Sequence, residues 1–274
     1  MITILGGSGF IGHHLVEKLQ QMKLDFLSPR REDKLSDLKL GKVIYCVGLT
    51  ADFRSQPIET VNAHVCKLLE VVRDCDFDSI VYLSSTRIYA PHLAPAREDD
   101  ALLVAPLSSS DLYNISKIMG EALLFASGRH VQVARISNVY GPDFASDNFL
   151  STIIKEALSN NKVTLHTSPN SQKDYISVED VVDGLIRIAT LGKRSIYNLA
   201  SGMSVSNQAL VNRIRQLTGC EVQFVANAPT IKFPPINVDR MREEFGFSPS
   251  NILDDMEKLI DLYRSSRGLW NDNN

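Results

Sequence analysis

The residues best suited to acid–base chemistry are Tyr113 and Lys117, which lie four positions apart. On a helix this spacing places both side chains on one face. An unperturbed tyrosine has a pKa of about 10 and is a poor base at neutral pH, but a neighbouring ammonium favours the phenolate and lowers that pKa. The pair can therefore pass a proton to or from a carbinol oxygen. Because tyrosine and lysine at this spacing are common on helices, the pair needs support from other residues.

A glycine-rich turn at residues 6–12 fits two phosphate-binding spacings, GxGxxG from Gly7 and GxxGxxG from Gly6. Glycine is required where a chain turns with positive φ and where backbone amides approach a pyrophosphate. The turn follows an apolar strand and opens a helix, whose first N–H groups carry partial positive charge. We therefore expect a dinucleotide cofactor here rather than a plain strand-to-helix turn. The residues expected to contact it are Gly6, Gly9, Phe10, Ile11 and Gly12.

The residues after the second predicted strand, at 25–27, bear on whether this cofactor is NAD or NADP. NAD is usually recognised by an acidic residue at the end of that strand. Here the chain continues with Ser28, Pro29, Arg30 and Arg31, and two guanidinium groups suit a 2′-phosphate by charge and by bidentate geometry. We expect Ser28, Arg30 and Arg31 to bind NADP. NAD remains the alternative, since the arginines also fit a solvated surface pair.

Alternating strands and helices must position these residues. Continuous apolar runs at 43–47 and 80–83 are typical of buried parallel strands, and helical spacing covers 10–22, 57–73 and 111–126. The pattern predicts an α/β fold with a Rossmann-type, doubly wound parallel sheet, trimmed between Leu27 and Val43 where a full strand–helix unit does not fit. Further on, it predicts helices at 148–159, 204–217 and 253–263 and strands at 131–136, 163–166, 196–199 and 222–225.

Two domains are expected. Residues 1–142 form the cofactor-binding domain, to which the segment at about 174–200 returns. Residues 143–266 form mainly a small α/β substrate-binding lobe, and residues 267–274 are polar and are expected to be frayed.

Composition excludes several classes of function. The net charge of −3 over 274 residues, with no long basic tract, argues against a nucleic-acid partner. No apolar run approaches the length of a membrane span and no secretory signal is visible. The four cysteines and six histidines show no metal-ligand spacing, so we expect no bound metal and a reducing, cytoplasmic location.

Several motifs in order resemble the extended short-chain dehydrogenase/reductase family, in particular its NAD-dependent epimerase/dehydratase group, which acts on nucleotide sugars. The resemblance covers nearly the whole chain. The motifs lie at residues 6–12, 43–48, 83–89, 113–117, 135–142, 174–181 and 244–249, together with the helix that contains Asn62.

The resemblance implies a role for each matching residue. Tyr113 would be the general acid/base, Lys117 would orient the nicotinamide ribose and tune Tyr113, and Ser85 would hydrogen-bond the reacting oxygen. A plain strand-end hydroxyl is the alternative for Ser85. Lys173 stands where the family usually carries an arginine that grips a diphosphate, and lysine keeps the charge but loses the fork. The remaining implied contacts are Cys46, Val47 and Gly48 to the cofactor and Thr86, Arg87 and Asn138 to the nucleotide sugar. A homodimer, common in this family, is possible through the two long helices.

Departures from the family pattern narrow the reaction. Sugar 4,6-dehydratases of the family carry an Asp-Glu pair where this chain has Thr86 and Arg87, and 3,5-epimerase/reductases carry a cysteine at the position of Arg87. The remaining candidates are a nucleotide-sugar 4-epimerase and a reductase of a nucleotide 4-keto-6-deoxyhexose. We favour the reductase because NADP is normally supplied reduced and the substrate lobe is short. A non-catalytic NADP-binding sensor or subunit is a third alternative, which the retained Ser85, Tyr113 and Lys117 argue against.

Overall fold

Strands and helices alternate along the chain, which the computed structural model describes over residues 1–49, 53–92, 94–108 and 111–266. The strands are β1 (Ile2–Leu5), β2 (Phe26–Leu27), β3 (Lys42–Tyr45), β4 (Ser79–Ser85), β5 (Val131–Ile136), β6 (Asn138–Tyr140), β7 (Lys162–Leu165), β8 (Gln172–Ser177), β9 (Ile196–Leu199), β10 (Ser204–Ser206) and β11 (Glu221–Phe224). The helices are α1 (Phe10–Gln21), α2 (Pro57–Val61), α3 (Lys67–Asp74), α4 (Leu112–Ala126), α5 (Phe149–Asn160), α6 (Val178–Leu191), α7 (Asn207–Thr218), α8 (Asp239–Phe245) and α9 (Ile252–Ser265).

Six strands form one parallel sheet in the order β2-β1-β3-β4-β5-β9. The strand order reverses direction at β1, because β2 pairs on one side of it and β3 on the other. Such a switch point opens a crevice at the carboxyl ends of the strands, where ligands of open α/β sheets bind. The six strands therefore place the glycine turn, which follows β1, directly beside the end of β3.

Both faces of the sheet are covered, which explains why its strands are apolar without alternation. On one face, Leu15 of α1 and Leu185 of α6 lie in the same buried cluster as Ile4 and Ile44 of the sheet. The other face buries residues of α3 and α4, including Leu68 and Leu124. The predicted Rossmann-type, doubly wound fold is confirmed, and so is the trimmed segment after β2, where only a short 3₁₀ turn (Leu35–Asp37) precedes β3.

Two predicted helices differ from the observed ones. The helix expected over 57–73 is interrupted by a π-helical stretch (Asn62–Cys66) between α2 and α3. The helix expected from 204 begins only at Asn207, because residues Ser204–Ser206 form β10 against β8 and Ser206 caps α7 by accepting the N–H of Ala209. The periodicity also failed to reveal α6 and α8.

The remaining elements build a second core beside the sheet. Strands β10, β8 and β6 form a small sheet, and β11 pairs with β7. Helices α5, α7 and α9 bury a cluster that includes Ile153, Leu210 and Met256. The division into a cofactor domain and a substrate lobe stays a prediction, and residues 267–274 lie outside the described part. No helix within the described ranges is long and apolar enough to cross a membrane.

Candidate active site

A cavity of about 530 Å³ lies at the carboxyl ends of β1, β3 and β4, between the large sheet and the second core. Most of the predicted site residues line it. They are Gly9, Phe10, Ile11, Gly12, Cys46, Val47, Gly48, Ser85, Thr86, Arg87, Tyr113, Lys117, Asn138 and Lys173. Four predicted residues, Gly6, Ser28, Arg30 and Arg31, lie outside this lining.

The glycine turn has the geometry of a phosphate cradle. Gly6 has φ +89°, and a Cβ added to Gly12 would lie 2.1 Å from the carbonyl oxygen of Gly6. Gly9 precedes α1 and supplies no side-chain cap to the first turn of the helix. The first N–H groups of α1 thus have no side-chain acceptor, and Gly9, Phe10, Ile11 and Gly12 line the cavity, which fits a bound pyrophosphate.

The end of β2 carries no carboxylate. Ser28 follows β2 and packs against the glycine turn. A Cβ added to Gly7 would lie 2.1 Å from Ser28 Oγ. Arg30 and Arg31 are exposed, and neither forms an ion pair within the described part of the chain. Glu32 and Asp33 follow directly, and Asp33 accepts the backbone N–H of Arg30 at 2.7 Å. The two guanidinium groups therefore remain available to a 2′-phosphate.

Helix α4 carries Tyr113 and Lys117 on its cavity face. Lys117 is 5% exposed, and its Nζ donates to the carbonyl oxygen of Leu83 at 2.8 Å. Its Nζ lies 6.0 Å from the Tyr113 ring centroid. Burial lowers the pKa of Lys117 to about 7, against the opposing effects of Glu121 and Cys46. The lysine is thus held in place and titrates near neutrality.

Ser85 is the last residue of β4, and its orientation separates it from its neighbour Ser84. Ser84 Oγ donates to Glu121 Oε1 at 2.5 Å and is buried behind the strand. Ser85 Oγ accepts the N–H of Arg87 at 3.2 Å and so caps the 3₁₀ turn Thr86–Tyr89. The hydroxyl does satisfy a backbone group, but no acceptor in the described residues takes its hydrogen, so it can still donate into the cavity.

A buried ionic network behind this strand was missed by sequence reasoning. Arg135 of β5 binds Glu121 through Nη2 at 2.7 Å and Nε at 3.1 Å, and both side chains are at most 5% exposed. Arg135 Nη1 also donates to the hydroxyl of Tyr89 at 2.6 Å. Because Glu121 lies one turn beyond Lys117 and holds Ser84, this network fixes α4 against the end of β4.

His64 was also missed, although it touches the proposed acid. Its ring lies 5.3 Å from that of Tyr113, edge to face. Nε2 accepts the N–H of Leu49 at 3.3 Å, which assigns the ring hydrogen to Nδ1, and Nδ1 lies 2.8 Å from Ser116 Oγ. Burial and the charge of Lys117 lower the pKa of His64 to about 2, so the ring is neutral. The apolar periodicity predicts an ordinary helix here, so it could not reveal the π-helical stretch that carries His64.

Of the predicted substrate residues, Thr86 and Arg87 follow Ser85 in the 3₁₀ turn, whereas Asn138 lies on β6 and Lys173 on β8. Asn138 Nδ2 donates to the carbonyl oxygen of Asp174 at 2.8 Å, and Thr86 is buried in the 3₁₀ turn. Lys173 Nζ lies 5.4 Å from the ring centroid of Phe149. Burial and the positive charges of Arg87 and Arg54 lower the pKa of Lys173. Lys173 therefore lies close to two other basic side chains of the cavity.

Comparison with known proteins gives a consistent assignment. The NAD-dependent epimerase/dehydratase family matches residues 28–200. UDP-glucuronic acid decarboxylase 3 of Arabidopsis thaliana is 24% identical over 90% of this chain and 84% of its own. The dTDP-4-dehydro-6-deoxyglucose reductase of Escherichia coli is 29% identical over 96% of this chain and 97% of its own. Among solved structures, MoeE5 in complex with UDP-glucose and NAD superposes with a TM-score of 0.83 at 22% identity, covering 97% of this chain and 99% of that one.

Proposed function

The chain belongs to the NAD-dependent epimerase/dehydratase family, and from that premise we propose that it is an NADPH-dependent reductase acting at C4 of a nucleotide-activated 4-keto sugar. The observation that carries the proposal is the placement of Tyr113, Lys117 and Ser85 on one cavity that also contains the glycine turn. The cavity is thus lined by a proton donor, by a second hydroxyl that can donate a hydrogen bond, and by a turn that can bind phosphate. A binding-only protein of this fold has no need of the first two.

Each side chain has a defined task in this proposal. NADPH, when bound, supplies a hydride to the carbonyl carbon. Tyr113 gives its phenolic proton to the carbonyl oxygen, which becomes the C4 hydroxyl, while Ser85 donates a hydrogen bond to the same oxygen. The ammonium of Lys117 stabilises the phenolate that Tyr113 becomes. Gly9, Phe10, Ile11 and Gly12 hold the pyrophosphate, and Ser28, Arg30 and Arg31 hold the 2′-phosphate.

Three features support net reduction over the other reactions of the family. Thr86 and Arg87 supply no acid–base pair for eliminating water. The arginines after β2 favour NADP, which is normally supplied reduced. A relative that spans nearly the whole chain is named as a reductase of a dTDP-4-dehydro-6-deoxy sugar. A nucleotide 4-keto-6-deoxyhexose is therefore the proposed substrate.

The experiment follows NADPH at 340 nm with dTDP-4-keto-6-deoxyglucose and, in reverse, NADP⁺ with nucleotide hexoses and nucleotide uronic acids of both C4 configurations. We expect stoichiometric cofactor turnover in at least one direction. Interconversion of C4 epimers with no net change in NADP(H) would contradict the reductase and assign an epimerase. Release of CO₂ from UDP-glucuronic acid would instead assign a decarboxylase.

We also propose that the protein pairs through the helical face made of α2, α3 and α4. This face exposes apolar side chains that a monomer would leave in water. They are Ile58 (79% exposed), Leu69 (43%), Met119 (52%) and Phe125 (42%). Light scattering that gave a monomer at micromolar concentration would contradict this pairing.

A further inference from the structure

His64 is a fully buried histidine between the end of β3 and helix α4, and the proposed reaction gives it no task. We call residues 46–49, which follow β3, the cofactor loop. The His64 ring packs so closely against this loop that a Cβ added to Gly48 would lie 3.1 Å from His64 Nε2 and 3.5 Å from Lys117 Nζ. Glycine at position 48 therefore lets both side chains reach the loop.

A continuous series of hydrogen bonds passes through the His64 ring. The backbone N–H of Leu49 donates to Nε2 at 3.3 Å. Because Nε2 accepts, the ring hydrogen belongs to Nδ1, which donates to Ser116 Oγ at 2.8 Å. Ser116 Oγ donates in turn to the carbonyl oxygen of Tyr113 at 2.8 Å. All three bonds run in one direction, from the cofactor loop to the backbone of the proposed acid, so each polarises and strengthens the next.

His64 also contacts the side chain of Tyr113. The centroids of the two rings lie 5.3 Å apart and the ring planes meet at 83°, an edge-to-face arrangement that aromatic pairs prefer. Phe53 packs against the Tyr113 ring as well, at 5.1 Å and 49°. His64 therefore holds Tyr113 at two points, directly at the ring and, through Ser116, at the backbone carbonyl.

A core histidine that only fills space is the alternative. An aliphatic side chain would fill this volume without burying two ring nitrogens, whose desolvation must be offset by hydrogen bonds. The lowered pKa of His64 keeps the ring neutral, because a second positive charge beside the ammonium of Lys117 would be repelled. The ring also projects from a π-helical stretch, a local departure from α-helix that is frequent at functional sites. These costs are explained if the two hydrogen bonds of the ring have a task.

We propose that His64 is a positioning residue, which holds the cofactor loop through Leu49 and the proposed acid through Ser116, and so aligns the cofactor site with Tyr113. The inference rests on the proposed function in taking Tyr113 as the acid. Alignment matters because a misplacement of about 1 Å can lower the rate about a hundredfold. His64 itself does not line the cavity, so it acts through its neighbours Gly48, Tyr113 and Lys117, which do.

Two substitutions at residue 64 each keep one of the two bonds. The amide of asparagine ends near the position of Nδ1 and can still donate to Ser116, whereas that of glutamine ends near the position of Nε2 and can still accept from Leu49. We expect His64→Asn to weaken NADPH binding about three- to tenfold, the value of one neutral hydrogen bond, and to keep kcat within about threefold of wild type. His64→Gln should keep the NADPH affinity and lower kcat about tenfold or more. Fluorescence titration with NADPH and steady-state reduction of dTDP-4-keto-6-deoxyglucose measure the two effects.

Ser116→Ala breaks the same series beyond the ring and tests the proposal even if the His64 variants fail to fold. It should lower kcat as His64→Gln does and leave NADPH affinity unchanged. The double variant His64→Gln/Ser116→Ala should lose no more than either single variant, because both substitutions remove the same link. Ser127→Ala is the matched control and should change neither quantity, since Ser127 Oγ makes the same kind of bond, to the carbonyl oxygen of Leu124 at 2.6 Å.

The outcomes separate this inference from the proposed function. Wild-type protein that reduced no 4-keto sugar would contradict the reductase, but the NADPH titration of His64→Asn would still test the inference, and an unchanged affinity in that variant would overturn it. Wild-type kcat in Ser116→Ala would also overturn it. So would equal losses of kcat and NADPH affinity in His64→Asn and His64→Gln, which would show that the ring acts by packing alone.

Discussion

Lys117 Nζ donates a hydrogen bond to the carbonyl oxygen of Leu83 at 2.8 Å, and this contact joins the helix of Tyr113 to the strand that ends at Ser85. A buried ammonium must find such an acceptor, because its desolvation is otherwise uncompensated. The bond leaves two further N–H groups of the ammonium for other acceptors. Lys117 therefore fixes the helix of Tyr113 against the strand of Ser85, in addition to supplying positive charge.

Replacing Tyr113 by phenylalanine removes the proposed proton donor without removing the ring that packs against Phe53 and His64. We expect turnover in Tyr113→Phe to fall by about 10²- to 10⁴-fold, the usual contribution of general acid–base catalysis. NADPH affinity, measured by fluorescence titration, should change little.

Tyr45→Phe is the matched control for that loss. Tyr45 is equally a buried tyrosine, and its hydroxyl donates to the carbonyl oxygen of Ala63 at 2.7 Å. Removing this bond should lower stability by about 1 kcal/mol and leave turnover intact. Similar losses of turnover in both variants would mean that Tyr113 acts only through packing.

The buried charge of Lys117 makes stability depend on pH. Its pKa falls from 10.5 to about 7 on folding because burial disfavours the ammonium. Between these pH values the unfolded chain binds a proton that the folded chain does not, so stability rises with pH through this window. Below pH 7 the buried ammonium costs the folded state on the order of 5 kcal/mol.

Lys117→Met removes that cost and should therefore raise the melting temperature more at pH 6 than at pH 9. The lost bond to Leu83 lowers both values alike, so the difference between the two pH values is the readout. Lys67→Met, at an exposed position, serves as the control and should show no such difference. A Lys117 variant whose melting temperature shifted equally at both pH values would mean that the lysine is not desolvated.

The sequence was sufficient for the fold and for most of the cavity lining. Continuous apolar strands, a glycine turn after the first of them and helical spacing after it all depend on local chemistry, and these features placed β1, α1, β3, β4 and α4 correctly. The short segment after β2 was also read correctly, because chain length alone excludes a strand and a helix there.

Residues whose importance arises only from distant contacts were not predictable. Glu121 and Arg135 are 14 positions apart in sequence and become an ion pair only when α4 packs against β4 and β5, where Ser84 is paired with Arg135. Phe53 and Arg54 lie in an irregular segment with no periodicity. His64 lies in a π-helical stretch that reads as ordinary helix. Tertiary packing decides each of these cases.

The choice between NADP and NAD is tested by the double variant Arg30→Ala/Arg31→Ala. Each arginine that binds a 2′-phosphate contributes about 1.5–3 kcal/mol. Because the variant removes two of them, KM for NADPH should rise about a hundredfold or more while KM for NADH stays the same. Arg73→Ala, an exposed arginine paired with Asp74 at 2.6 Å, is the charge-matched control. An unchanged KM for NADPH would show that these arginines face solvent and would return the assignment to NAD.

Substitutions at two glycines of the turn distinguish an effect on cofactor binding from an effect on stability. A Cβ on Gly9 would meet only the Gly6 carbonyl oxygen, at 3.4 Å, and Gly9 has φ −78°, which alanine adopts without strain. Gly9→Ala should therefore keep its melting temperature within about 2 °C of wild type, yet weaken NADPH binding, because the new methyl group stands where backbone amides must touch the pyrophosphate. Gly12→Ala places its Cβ 2.1 Å from the same oxygen and should lower both stability and binding. The two variants are compared by thermal denaturation and by NADPH titration. A Gly9→Ala protein that bound NADPH with wild-type affinity would show that the pyrophosphate does not bind at this turn.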